Sequence, residues 1–372
     1  MKKLCIVIMI LGLWLSGIVK TDAQTPRSIV GASGECDTNN AGCQPIPLTL
    51  TTLCTVSCPY VSQPSLTDAN RFWGSLVGST CNTSTNGGAT WAACTTQPPA
   101  FATGIKETYA GAADGSVIGA AQIGTGACNI VRSVDNGANW TTVFTKASRS
   151  CSPGNEGTLL KCRSNGVCIL PFLDGGTGVC YTYASTDNGQ TWAEGTGVST
   201  CNAAPVNSSF DGTHGMVQPQ TNGGVSHAWF TVDGSTWNKS TAWPAAAGTC
   251  WGGVIYNSTS HGVCFQATNY TLRDTAGALE LNMTLPGVTA VVNSGGLAYS
   301  LGSNNLYVLA TWTPVSGASP IGIWITRDGS TFVLLATTPT SVNSMRGGDF
   351  YAGINGCLYF SAGTTPMFGK IC

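Results

Sequence analysis

One short box, written six times at intervals of 41 to 54 residues, limits what this 372-residue chain can become more than any other feature. Ser84-Thr-Asn86-Gly-Gly88-Ala-Thr90-Trp91 returns as Ser133-Val-Asp135-Asn-Gly137-Ala-Asn139-Trp140 and as Ser185-Thr-Asp187-Asn-Gly189-Gln-Thr191-Trp192. Two copies are a residue shorter, Thr231-Val-Asp233-Gly234-Ser-Thr236-Trp237 and Thr326-Arg-Asp328-Gly329-Ser-Thr331-Phe332. A worn copy stands at Leu272-Arg-Asp274-Thr-Ala-Gly277-Ala-Leu279. Each position has a physical task. The Asp or Asn side chain accepts hydrogen bonds from backbone N–H groups just ahead, and the leading hydroxyl caps the same loop. Glycine supplies the positive φ of a tight hairpin. The final aromatic begins the next strand and plugs the space between neighbouring sheets.

Alternating strands precede the boxes, among them Val179-Cys-Tyr181-Thr-Tyr183 and Ile321-Gly-Ile323-Trp-Ile325. A second periodic element, a turn leading into a strand, occurs at Asn70-Arg-Phe72-Trp73, Asp114–Val117, Ser164–Cys168, Asp211–His214, Ser260–Cys264, Ser303–Leu306 and Ile354–Leu358. A unit thus reads strand, turn, strand, box hairpin, strand. Four-stranded units of roughly 40–50 residues are blades of a β-propeller. A solenoid has a similar period, but one hairpin signature per four strands favours the propeller. The expected fold is all-β, with the count of blades open between six and seven. A strand from before residue 66 is expected to complete the last blade and remove an exposed edge.

Composition works by exclusion. With 16 Lys+Arg against 17 Asp+Glu there is no basic stripe for nucleic acid. A 42% hydrophobic share and 11 Trp supply a core and exclude disorder, and the 48 glycines keep no collagen period. Lys2 and Lys3 precede an apolar run from Leu4 to Val19, and Thr21 and Ala23 flank a cut before Gln24. Residues 1–23 therefore read as a secretory signal peptide, the run being short for a membrane anchor. No later stretch approaches membrane length. Losing Cys5 takes the 17 Cys to an even 16, which in an exported chain reads as a disulfide framework of undetermined connectivity. Cys54/Cys58, Cys81/Cys94 and Cys162/Cys168 are close enough for local bridges. There is no C-x-x-C, and His214, His227 and His261 are the only histidines, so neither a metal nor a cofactor is expected. Residues 24–66, with Cys36, Cys43, Cys54, Cys58 and several prolines, form an extension without repeat character, and residues 67–372 carry the propeller.

The pattern S-x-D-x-G-x-T-W resembles the Asp-box, or BNR repeat, of sialidases and related propellers, over most of residues 70–335. The resemblance implies a propeller whose boxes lie at the blade periphery with a structural role. It is specific for the hairpin and much less so for function, since hydrolases, receptors and assembly factors share it. Sialidase chemistry needs an arginine clamp for the substrate carboxylate, a nucleophile paired with a carboxylate, and an acid. The family uses three arginines, a Tyr/Glu pair and an Asp. Here Arg27 stands in Pro26-Arg27-Ser28-Ile29, with the proline on the wrong side of the arginine. Glu156 opens a segment in which the family's partner arginine falls near Phe172, while Arg163 sits on a turn. Were the chain a sialidase, Glu156, Tyr351, Arg71 and Arg346 would be its catalytic candidates. No spacing singles out a facing pair of acids for the two-carboxylate route.

Complete boxes without clamp motifs point to a secreted or cell-surface binding module for glycan or extracellular protein. An exo-acting sialidase-type hydrolase is the alternative, and a structural or self-assembling protein the third. Trp243, before Pro244, and Trp251, beside Gly252, look loop-like and are candidates for stacking on sugar rings. Sequons stand at Asn82, Asn139, Asn207, Asn238, Asn257, Asn269 and Asn282.

Overall fold

A computed structural model describes most of residues 50–372. Residues 1–49 and the stretches 55–57, 62, 77–79, 100–106, 123–126, 148–150, 153–159, 175–178, 196–204, 211, 220–228, 234–235, 241–248, 257–258, 267–268, 285–296, 302–305, 312–321, 327–332, 338–349, 356, 363–366 and 372 lie outside the described residues.

The short alternating strands and their glycine-rich turns build seven antiparallel sheets among the described residues, each with four strand positions. The chain is a seven-bladed β-propeller. Blade one comprises Tyr60–Val61, Phe72–Leu76, Thr80–Ser84 and Ala92–Ala93; blade two, Thr108–Gly111, Val117–Gln122, Cys128–Ser133 and Thr141–Lys146. In blade three the first position is split between Cys151–Ser152 and Lys161–Cys162, both paired with Cys168–Asp174, and Val179–Ser185 and Ala193–Glu194 follow. Blade four begins at Pro205–Phe210 and ends at Asn238–Lys239, blade five runs from Thr249–Tyr256 to Leu279–Thr284, and blade six from Leu297–Leu301 to Val333–Thr337. Blade seven takes Phe350–Ala352, Leu358–Ala362 and Met367–Ile371, and its fourth strand is Leu50–Cys54, antiparallel to Met367–Ile371. First strands of successive blades lie against one another around the axis, as blades four, five and six show.

This closure resolves the unequal repeat count. A box turn joins the third and fourth strands of a blade, and in blade seven those strands come from opposite ends of the chain. Seven blades therefore need only six boxes. One expectation is displaced: Ser260–Cys264 is strand throughout, inside Thr259–Gln266, because the hairpin already turns between Tyr256 and Thr259.

The first three boxes fold alike. In the third copy Gly189 N donates to Ser185 Oγ (2.9 Å), and the Ser185 hydroxyl donates to Asp187 Oδ1 (2.8 Å). Thr191 N donates to the same carboxylate oxygen (2.9 Å). The first and second copies repeat these bonds through Ser84/Asn86 and Ser133/Asp135. The shortened copy keeps Thr236 N on Asp233 Oδ1 (2.7 Å), and the worn one keeps Ala278 N on Asp274 Oδ1 (2.8 Å). Gly234, Asp328, Gly329 and Phe332 lie outside the described residues. The turn uses two consecutive left-handed residues, since Asn136 and Asn188 share positive φ with Gly137 and Gly189. The aromatic stands one residue before the strand, so it is a wedge at the turn; Trp91 and Trp192 donate from Nε1 to Gly88 O and Gly189 O, each at 3.0 Å.

The glycines of the first and third boxes also abut the preceding blade. A Cβ on Gly88 would fall 2.2 Å from Phe368 of blade seven, and one on Gly189 would fall 2.2 Å from Ile118 of blade two. Glycine is required there both for φ and for contact between blades. The seams hold the core. Phe72, Trp91, Tyr359 and Phe368 fill the seam of blades seven and one, Trp73, Tyr109 and Trp140 that of one and two, and Ile118, Ile130, Leu170, Phe172 and Tyr183 that of two and three. Disulfides join Cys54–Cys58, Cys81–Cys94 and Cys162–Cys168, the three local pairs expected from proximity. Cys128, Cys264 and Cys357 are disulfide-bonded as well.

Candidate functional site

Because strands in a blade alternate in direction, the box turns and the turns after the first strands emerge on one face. Hydrogen bonds join the two sets: Gly87 N donates to Asn70 O (2.9 Å) and Asn188 N to Gly166 O (2.9 Å). The starts of the inner strands belong to the opposite face and the axis. Catalysis or recognition by charged groups depends on which face they serve.

All four described arginines serve the turn face. Arg71 ion-pairs with Asp68 three residues earlier (3.6 Å). Arg132 ion-pairs with Asp114 and donates from Nε to Asn188 O of blade three (3.1 Å). Burial opposes ionisation of Asp114, but bonds from Ser116 and the Arg132 charge outweigh it and hold its carboxyl below the usual range. Arg163 donates to Phe210 O of blade four, with its guanidinium 6.0 Å from the Phe210 ring centre. Arg273 donates from Nη1 to Gly277 O (2.9 Å) in the worn box. Two of these bonds cross from one blade to the next, and the others brace a turn within a blade. They rivet the ring.

Nearer the axis lies a buried polar set that the sequence patterns did not single out. Gln63 follows the inner strand of blade one and is fully buried. Its backbone N–H donates to Tyr109 O of blade two (3.1 Å), and it forms a parallel bridge with Ala110. Its amide donates to Cys162 O (2.6 Å) and accepts from Cys162 N (2.7 Å), so one residue ties three blades. Glu107, at the head of blade two, accepts a short bond from the Tyr109 hydroxyl two residues on. Burial pushes the Glu107 carboxyl up to about 7 against the opposing pull of that bond. Burial and the neighbouring carboxylate push the Tyr109 hydroxyl well up too. Lys161 of blade three is buried with its ammonium 5.9 Å from the ring centre of Tyr351 in blade seven, a cation–π contact between the inner strands of those two blades. The signal for Glu107 was present in Glu107-Thr-Tyr109, where period two puts both side chains on one face. Gln63 and Lys161 had no comparable signal.

Of the four catalytic candidates, Glu156 and Arg346 lie outside the described residues. In sequence Glu156 lies between Ser152, paired with Leu173, and Lys161, paired with Ile169. Tyr351 is buried in the inner strand of blade seven, and Arg71 stands on a turn of blade one. Phe172, at the family's arginine position, packs its ring on Tyr181 and Tyr183. Trp243 is outside the described residues. Trp251 is not in a loop: it is the extra residue of a bulge within Thr249–Tyr256, where Cys250 pairs with Cys264 and Gly252 with Val263. Among the described residues no cluster of three or more His, Cys, Asp or Glu is placed to hold a metal, and no helix is long and apolar enough to cross a membrane.

No protein-family model and no curated protein sequence matches the chain. Solved structures do. YCF48 bound to D1 peptide superposes over 87% of this chain and 94% of its own, with a TM-score of 0.56 and 14% identity. A catalytically inactive virginiamycin B lyase from Staphylococcus aureus with quinupristin gives 0.57 and 14% over 87% and 98%. The GH74 xyloglucanase of Xanthomonas campestris gives 0.52 and 13% over 87% of this chain and 53% of that one. At such identities the likeness is one of propeller fold.

Proposed function

We propose that the chain is an exported Asp-box propeller, with residues 1–23 as its leader and residues 24–66 as a cysteine-rich extension, that binds an extracellular protein or glycan and lacks a complete catalytic clamp. The observation that supports this reading is the employment of the arginines. Arg71, Arg132, Arg163 and Arg273 are all engaged at turns. Bidentate capture of a substrate carboxylate by any of them would break a contact that holds a turn or a seam. Within the same fold YCF48 is seen with a peptide, which makes a peptide segment the first partner class to try.

The hydrolase alternative has one observation in its favour, the hydrogen-bonded Glu107–Tyr109 pair, which has the residue types of a carboxylate-activated phenol. Against it, Tyr109 is wholly buried, packed with Trp73 and the partly buried Trp140, so its oxygen faces no substrate. The purified protein is expected to release no sialic acid from a fluorogenic sialoside while being retained on a peptide or glycan array. Turnover abolished by Glu156→Gln would reverse the assignment in favour of the enzyme. Inactivity on both platforms would leave the structural, self-assembling role.

A further inference from the structure

We infer that Asn238, on the outermost strand of blade four, is an N-glycan acceptor, and that the sequon asparagine Asn82 is not. The inference rests on the proposed export of the chain. The two residues share the N-x-S/T pattern, in Asn82-Thr-Ser84 and Asn238-Lys-Ser240, and differ in where the fold puts them. Asn238 belongs to the two-residue strand Asn238–Lys239, paired on one side with Phe230, and its side chain is exposed. An oligosaccharide there projects from the circumference and leaves both faces of the ring free. It also masks an open sheet edge, which natural proteins protect with charge or bulk.

Asn82 is the opposite case. It lies in the third strand of blade one, is buried, and donates from its amide to Thr80 O (2.8 Å) beside the Cys81–Cys94 disulfide. A sugar on that nitrogen cannot be housed without parting the strand from its seam. Asn139 stands between them: it is exposed, but its amide donates to Asp135 Oδ2 (2.7 Å) in the second box. Of these three, Asn238 is the acceptor with the least to disturb.

The co-reactant is a lipid-linked oligosaccharide pyrophosphate acted on by a transferase in the export compartment. The Asn238 amide nitrogen forms a bond to the anomeric carbon and the anomeric C–O bond breaks. Lipid pyrophosphate leaves, and the amide proton passes to the transferase's base.

The test is secretion of the full chain from a eukaryotic host, followed by peptide-N-glycosidase digestion in heavy-oxygen water and peptide mapping. Isotope-labelled Asp is expected at position 238 in most molecules and none at 82. Asn238→Gln should lower the mass of the secreted protein by one glycan, and Asn82→Gln should not change its glycan mass. Asn238 unmodified, or Asn82 modified in folded secreted protein, overturns the inference. Run again behind the host's own leader peptide, entry no longer depends on residues 1–23. An unmodified Asn238 then counts against the site alone, whereas failure of the native leader to export counts against the secretion reading alone.

Discussion

The seam between blades seven and one and the seam between blades two and three solve the same problem under different constraints. Blades two and three follow one another along the chain. Their seam sets Ile118, Ile130 and Phe144 of blade two against Leu170, Phe172 and Tyr183 of blade three. Blade seven meets blade one only because Leu50–Cys54 pairs with Met367–Ile371. Closing a contact across more than three hundred residues costs roughly 3 kcal/mol more than closing a hairpin, at about 0.6 kcal/mol per doubling of loop length. Four rings meet at this seam. Phe72 contacts Tyr359 at 4.7 Å, Phe368 at 5.3 Å and Trp91 at 6.5 Å, and Phe368 contacts Trp91 and Tyr359, both at 5.8 Å. At about 0.5–1.5 kcal/mol for each ring pair beyond its buried area, these contacts offset the closure cost. The Cys54–Cys58 disulfide lies directly between the closing strand and the first strand of blade one. Among the described residues the larger set of ring contacts is thus placed where chain continuity gives least help.

The largest expected effect tests that contrast. Phe368→Ala should cost about 3–5 kcal/mol in chemical denaturation, in the range for burying and then deleting a phenyl ring. It should also raise amide exchange in Leu50–Cys54 and Met367–Ile371 ahead of the other blades. Ile118→Ala should cost about 2–5 kcal/mol and loosen only the seam of blades two and three, without early exchange at the chain ends. Equal exchange patterns in the two variants would break the comparison.

The seam of blades one and two carries the next effect, through Glu107. Its folded carboxyl titrates at about 7, above an ordinary value of 4.5, so between these limits the folded state holds the proton that the unfolded state has released. The stability associated with this group is therefore full below about pH 4.5 and is lost as pH rises towards 7, by up to roughly 3 kcal/mol. Glu107→Gln should flatten the stability profile over that window and be the more stable form at pH 8. A slope that persists in the variant would assign the titration to another group.

The legible part of the molecule was the part made locally. Ser185, Asp187, Gly189 and Thr191 close their turn within seven residues, so spacing alone carries it, and the same holds for Asp114 with Ser116. The blade count was ambiguous because blade seven has no contiguous hairpin between its last two strands, and a census of hairpins cannot register a strand donated from the other end. The axis was not legible for a related reason. Gln63 bonds to Cys162, 99 residues away, and Lys161 to Tyr351 lies farther still along the chain, pairings that leave no period in the sequence. Arg71, placed by residue type as a clamp candidate, ion-pairs with Asp68 within its own turn, a use that residue type alone does not reveal.

The smallest effect concerns the rim of blades two and three. Lys146, at the end of the outer strand of blade two, ion-pairs with Glu194 on the outer strand of blade three at 3.2 Å, with both side chains partly exposed. Water and salt screen such a pair, and holding two long side chains together costs entropy, so Lys146→Ala should change stability by about 0–1 kcal/mol. The change should shrink further at 1 M salt, where the screening length falls to about 3 Å. This outcome would leave the aliphatic–aromatic packing inside the seam as its cohesive part. A loss above about 2 kcal/mol that persists in high salt would mean that the rim, and not the interior, joins the two blades. The contrast with the aromatic closure of blades seven and one would then be one of edge against core.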